Sequence, residues 1–193
     1  MTIAPWRSPL SRALHRNRAL PNARYGQLAT VRPDGTPANR TIVFRGFVTD
    51  CDDLQFVTDR RSEKIQDLHH QAIAELCWYF PKTREQFRLR GPITVIGATT
   101  EAPSLQTIHH QLWQSLSDNA RLQFSWPHPK HRRTDATGFE TRSPQPLDPP
   151  PDFCSLLLSV TQVDHLELRG NPQNRWLYQR DSNHEWVQQA VNP

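Results

Sequence analysis

The 193-residue chain carries a formal net charge of +4, and Lys64, Lys82 and Lys130 are the only lysines among its 23 basic side chains. That length supports a single domain over residues 1–193 with a proper core and leaves little room for a second. Arginine presents a planar fork of donors suited to phosphate, but the basic residues are scattered among acids, which argues against a dedicated nucleic-acid binder. Cys51, Cys77 and Cys154 form no Cys-x-x-Cys pair, so the expectation is a reducing, cytoplasmic setting without structural disulfides or a metal site. No apolar run approaches the roughly 20 residues of a membrane span, and the first residues resemble no export signal.

Residues 9–20 read as a short helix, with Leu10, Ala13 and Leu14 on one side and Arg12, Arg16 and Arg18 on the other, lying as a lid on the core. Residues 25–32 follow as a strand, Pro33-Asp-Gly-Thr as a tight turn, and residues 38–44 as the returning strand of a β-hairpin. After a polar turn at 50–53 come a strand at 54–58, a helix at 62–69 with Ile65 and Leu68 inward, and strands at 72–80 and 85–97. Leu105, Ile108, Leu112 and Leu116 share one face of a helix over 104–116. Residues 127–152 gather seven of the 17 prolines and few apolar side chains, predicting a long loop, mobile or docked on a neighbour. A strongly apolar strand at 154–163 and a hairpin of 175–180 with 185–191 close the chain. Six or seven strands joined mostly by short turns imply a mainly β fold, an antiparallel sheet closed into a small barrel with peripheral helices.

Three segments carry the chemistry. Thr58-Asp-Arg-Arg-Ser62-Glu-Lys64 runs from a strand end into a helix start, where free backbone N–H groups, two hydroxyls and an ammonium suit a phosphomonoester. Ser62 as a plain helix cap and Lys64 as a solvated residue explain the same segment, and locally that plain reading is favoured. Strand alternation puts Arg40 on the apolar side with Ile42 and Phe44, where its charge must pair with an acid or bind an anion; Arg45 reaches the same region from the other face. Gln86, Arg88 and Arg90 share one strand face, and Gln86 can both donate to and accept from a polar ring. An exposed edge strand accounts for that face equally well. No Gly-x-x-x-x-Gly-Lys, Gly-x-Gly-x-x-Gly or Gly-x-Ser-x-Gly motif is present. The pairs His69-His70 and His109-His110 point about 100° apart on helices and read as surface, not as metal ligands.

Taken in order, these pieces resemble the pyridoxamine 5′-phosphate oxidase family of FMN-binding split barrels. The resemblance rests on Arg40-x-x-x-x-Arg45, on Phe56-x-Thr58-x-x-x-Ser62-x-Lys64, on Gln86 five residues before Gly91, and on Asn174-Arg175-Trp-Leu-Tyr-Gln-Arg followed by Trp186. It implies a six-stranded antiparallel FMN-binding split barrel that forms a homodimer with FMN in clefts at the subunit interface. By position, Arg40, Ser62 and Lys64 hold the phosphate region of FMN with Thr58 nearby, Arg45 stands beside the flavin, Gln86 meets it from the sheet, and Arg175 comes from the C-terminal hairpin.

The chain also departs from the family pattern. Arg45 stands where the family has lysine, and Glu63 where a basic residue usually precedes Lys64. Asn171 and Gln173 replace the oxidase's substrate-recognising arginine and histidine, and His165 replaces a flavin-contacting tryptophan. Gln123, Ser125 and Trp126 fall where the family has a further flavin contact. The resemblance therefore implies a flavin-dependent oxidoreductase acting on a small molecule, with the hydride chemistry belonging to FMN and no side chain assigned as acid or base. A true pyridoxamine or pyridoxine 5′-phosphate oxidase, a non-catalytic flavin carrier or sensor, and a basic nucleic-acid-binding barrel are the alternatives.

Overall fold

A computed structural model of the chain describes residues 3–142 and 144–193. Helix α1 (Arg7–Asn17) turns Leu10 and Ala13 into the core, and its last residue, Asn17, ties it to the barrel through Thr83 Oγ1 and the Lys82 amide. The hairpin of β1 (Tyr25–Val31) and β2 (Pro37–Val43) turns where Gly35, at φ +81°, supplies the left-handed backbone. The Asp34 carboxylate closes that turn by accepting from the Thr36 amide and hydroxyl. Next come β3 (Gly46–Phe47), β4 (Leu54–Asp59), α2 (Glu63–His70), β5 (Ile73–Phe80) and β6 (Glu85–Ile96). Helices α3 (Pro103–Gln114) and α4 (Asp118–Leu122) precede β7 (Phe153–Leu158), β8 (Gln162–Glu167), β9 (Asn174–Arg180) and β10 (Trp186–Val191).

The strand pairings run β2–β1–β5–β6–β7–β4–β3, all antiparallel. Because β3 continues the path of β2 past a bend at Phe44 and Arg45, these pairings close a ring of six strands, one of them broken at the bend. The Arg45 amide bonds the Gln55 carbonyl at 2.9 Å and bridges the break. The expected mainly β, six-stranded antiparallel barrel with peripheral helices is thus what the register builds, and β8, β9 and β10 extend the sheet from its rim.

The predicted continuous strand at 154–163 is instead two, and β6 shows why. Residues 85–90 of β6 pair with β8, and residues 93–96 pair with β7, so the chain between β7 and β8 must cross over the middle of β6. At that crossing an ideal Cβ on Gly91 would lie 2.0 Å from the Ser159 carbonyl oxygen, so only glycine permits the approach.

Inward alternation fills the barrel. Leu54 and Phe56 of β4, Leu76, Trp78 and Phe80 of β5, and Phe87 and Leu89 of β6 are buried. Edge-on and tilted ring contacts link Phe44, Phe56, Trp78, Phe80 and Phe87 at centroid distances of 5.0 to 6.3 Å. A second cluster of Leu112, Trp113, Leu116 and Phe153 fixes α3 on β7. This packing corrects one expectation: His109 is fully buried, because it shares the inner helical face with Leu112 and Trp113. Its Nδ1 lies 3.0 Å from Ser155 Oγ, and burial, then His110, pushes its pKa down to about 4. His69 and His70 are exposed, as expected.

The described residues of 127–152 form no strand, and their C-terminal part is tied to the elements before it. The Trp113 indole donates to the Gln145 carbonyl, and Arg60 and Arg61 both pair with Asp152. All three cysteines are free thiols, and no helix among the described residues is long and apolar enough to cross a membrane.

Candidate functional site

The junction of β4 and α2 forms the floor of a cavity of about 570 Å³, within the range of roughly 300–1,000 Å³ usual for small-molecule sites. Thr58 is the last inward position of β4, and Ser62 stands just before α2. The Ser62 side chain makes no capping bond to its helix. Instead the Lys64 ammonium donates to Ser62 Oγ at 2.6 Å and Thr58 Oγ1 at 2.8 Å. That geometry decides against the plain cap. Two hydroxyls and an ammonium converge at a helix N-terminus, and these two bonds use two of the three N–H donors of Lys64.

Electrostatics point the same way. Burial, and then the charge of Arg40, push the Lys64 pKa down to about 8. Nearby Asp59 does not repel an anion strongly, because Arg61 holds its carboxylate from Nε and NH2 at 2.9 and 2.7 Å. A cation destabilised by burial and by a like charge is stabilised when an anion arrives.

Arg40 lies behind this floor. Its guanidinium bonds Thr30 Oγ1 at 2.5 Å, Asp67 Oδ2 at 3.1 Å and the Leu28 carbonyl at 3.2 Å. Of the two fates open to a cation on the apolar face of β2, it meets an acid, and Asp67 is only 3% exposed. Arg45 does line the cavity, and its buried Nε has no hydrogen-bond partner. Burial, with Arg24 nearby, lowers its pKa.

Gln86 and Arg175 sit on a different surface. The register sets Gln86 opposite Leu166 and Leu166 opposite Arg175, so both polar side chains lie in one row across β6, β8 and β9. Arg175 lines a separate cavity of about 360 Å³ with Arg88, Arg90, Asp164 and Leu177. Asp164 accepts from Arg175 Nε at 2.9 Å and NH2 at 2.6 Å, and from Arg88 NH2 at 3.0 Å. Burial raises the Asp164 pKa, but the bonds and charge of Arg175, with Arg88, outweigh it and hold the carboxyl below its usual range. His165 points to the opposite face, stacked on Phe87 at 4.0 Å with Nε2 3.0 Å from Glu85.

The chain thus brings Arg45, Thr58, Ser62 and Lys64 together, sets Arg40 directly behind them, and leaves Gln86 and Arg175 on the outer sheet. The larger cavity also has walls: Gln123 and Trp126, which fall where the family has a further flavin contact, line it, whereas no motif marked Val57, Leu116 or Phe124. Val57, Leu116, Phe124 and Trp126 supply apolar and aromatic surface, and the buried Trp126 Nε1 has no partner. Asp67 and Asp164, which orient Arg40 and Arg175, are visible in the sequence only as isolated acids. FMN fits this donor set: Lys64, Ser62 and Thr58 suit its phosphate, the unpartnered N–H groups of Arg45 and Trp126 suit ring acceptors, and the aromatic wall suits the ring itself.

Comparison with known proteins agrees with the resemblance. The model of a family described as pyridoxamine 5′-phosphate oxidase, FMN-binding domain, matches residues 3–97. The pyridoxine/pyridoxamine 5′-phosphate oxidase 2 of Arabidopsis thaliana is 36% identical over 99% of this chain and 98% of its own. A pyridoxine/pyridoxamine 5′-phosphate oxidase of Sinorhizobium fredii is 39% identical, but only over 37% of this chain and 34% of its own. Among solved structures, a pyridoxamine 5′-phosphate oxidase-related, FMN-binding protein from Nostoc punctiforme superposes with a TM-score of 0.98 at 55% identity, each chain fully covered.

Proposed function

We propose that this chain, which belongs to the pyridoxamine 5′-phosphate oxidase-related family of FMN-binding proteins, holds FMN in its larger cavity and works as a flavin-dependent oxidoreductase on a small molecule. The observation that carries this reading is the convergence of Thr58, Ser62 and Lys64 beneath two unpartnered buried N–H donors, Arg45 Nε and Trp126 Nε1. FMN supplies hydride transfer when bound. Lys64 and the two hydroxyls anchor its phosphate, Arg40 paired with Asp67 ties β2 to α2 behind them, and the aromatic wall keeps water from the ring.

Gln86 and Arg175 line no part of that cavity in their own chain. A second copy supplies them in this reading, so that each cleft is shared by a homodimer. The outer sheet face supports it: Tyr25, Ile73 and Tyr79 are exposed large apolar residues on β1 and β5, and Tyr79 pairs directly with Gln86.

The full-length likeness to the Arabidopsis oxidase favours a second reading, oxidation of pyridoxine or pyridoxamine 5′-phosphate. Asn171 and Gln173 weigh against it, since neither supplies the charge-assisted clamp of an arginine. Purified protein that is yellow, or that becomes so on reconstitution with FMN, supports the flavin reading; colourless protein that cannot be reconstituted overturns it. Anaerobic bleaching by pyridoxamine 5′-phosphate, with recovery in air, would favour the second reading over the first.

A further inference from the structure

The larger cavity has a second basic wall. His128, Lys130, His131, Arg132 and Arg133 line it from the segment after α4. This wall is anchored to the rest of the site. Arg61 donates to the Trp126 carbonyl at 3.2 Å, and Lys130 pairs with Glu63 in the first turn of α2. The His128 and His131 rings stack at 3.9 Å. The Arg133 guanidinium lies 5.1 Å from the centre of the Phe139 ring, and Phe139 meets Trp126 edge-on at 5.9 Å.

Charge separates the two walls. Glu63 answers Lys130 and Arg61 answers Asp59, but Arg132 and Arg133 pair with no carboxylate among the described residues. The cluster of Lys64, Ser62 and Thr58 already provides for one phosphate monoester. Arg132 and Arg133 line the same cavity from another segment and carry charge outside that cluster.

We infer that Arg132 and Arg133 recognise a second oxyanion, a phosphate or carboxylate on the molecule that reacts beside the cofactor. The inference rests on the flavin reading for what fills the rest of the cavity. It moves anion recognition away from Asn171 and Gln173, where the family resemblance expects it, and onto a segment that carries none of the motifs on which that resemblance rests. Bidentate donation by guanidinium, with the ring of Phe139 limiting the freedom of Arg133, is the physical basis.

The test uses FMN-saturated protein titrated separately with inorganic phosphate and with acetate, followed by flavin absorbance and tryptophan fluorescence. A saturable response is expected to phosphate alone or to both anions, which tells a phosphate requirement from carboxylate tolerance. The double variant Arg132→Ala/Arg133→Ala should weaken that response at least tenfold and change FMN affinity less than twofold. Both arginines are exposed, so their loss does not threaten folding. Absence of a saturable response in the parent, an equal response in the variant, or a parallel loss of FMN affinity would each overturn the inference. If the protein takes up no FMN, the flavin reading fails by itself. Calorimetric titration of phosphate into FMN-free Lys64→Ala protein, with and without the two arginines, then reads the second wall alone: tenfold loss supports it and equal binding overturns it.

Discussion

Two arginine-rich regions of this molecule answer their charges in opposite ways. On the outer sheet, Arg88 and Arg175 share Asp164, and Arg88 also approaches Glu75 at 3.6 Å. Around the larger cavity, Lys64 is met by hydroxyls, and Arg45, Arg132 and Arg133 pair with no carboxylate among the described residues. A paired guanidinium is fixed in direction but largely neutralised; an unpaired cation keeps its charge for a ligand. The difference sorts basic residues into those that shape a surface and those that wait for an anion. By that criterion Arg40, although it lies beside Lys64, belongs with the paired group.

The largest expected effect tests that assignment. Arg40→Ala would leave the buried Asp67 carboxylate with the Thr30 hydroxyl alone, and removing one partner of a buried pair costs on the order of 3 kcal/mol. Chemical denaturation should show that loss without ligand present. A variant as stable as the parent but defective in FMN binding would return Arg40 to the ligand-facing group.

Lys64→Ala should do the reverse, weakening FMN by about 1.5–3 kcal/mol, the scale of a hydrogen bond to a charged group. Its stability should be unchanged or slightly raised, because a half-buried cation beside Arg40 is removed. Flavin fluorescence titration and thermal melts on the same sample measure the two quantities. Wild-type affinity would take the phosphate away from Ser62 and Lys64.

The same lysine predicts a pH dependence. In the free protein its pKa is pushed down to about 8 by burial and then by Arg40, whereas a bound phosphate favours the ammonium. Below pH 8 the charged form is already present and affinity should be flat. Above pH 8 binding must take up a proton, so affinity should fall by up to about tenfold per pH unit. Titrations from pH 6.5 to 9.5 with Lys64→Ala as control read this directly, and an equal fall in the variant would assign the effect elsewhere.

How much of this was legible in the chain depends on the range of the forces involved. The β1–β2 hairpin, the helix carrying Lys64 and the alternation of β6 follow from local rules of turn chemistry and side-chain period, and each appears within a residue or two of its expected place. The break between β7 and β8 was not legible, because it is set by Gly91 meeting Ser159 across the sheet. The burial of His109 was hidden for a similar reason, since only the packing of α3 on β7 decides which face is inner. Thr58, Ser62 and Lys64 are close in sequence and could be grouped by spacing. The acids that orient Arg40 and Arg175 lie 27 and 11 residues away from them, and no motif links those pairs.

The smallest single-variant effect belongs to the paired group. Because Asp164 already neutralises and directs Arg175, Arg175→Ala should cost FMN only about 0.5–1.5 kcal/mol, less than Lys64→Ala. A loss as large as that of Lys64→Ala would break the distinction between the two regions. The two variants together test whether the regions meet across a dimer. In a mixed dimer of Lys64→Ala and Arg175→Ala chains, a cleft built from the cavity of one copy and the sheet of the other is intact once and doubly impaired once. Differently tagged chains, co-expressed and purified as the mixed species, should then bind one FMN per dimer with parental affinity. If each cleft is instead contained within one chain, both clefts carry a single defect and no parental site appears.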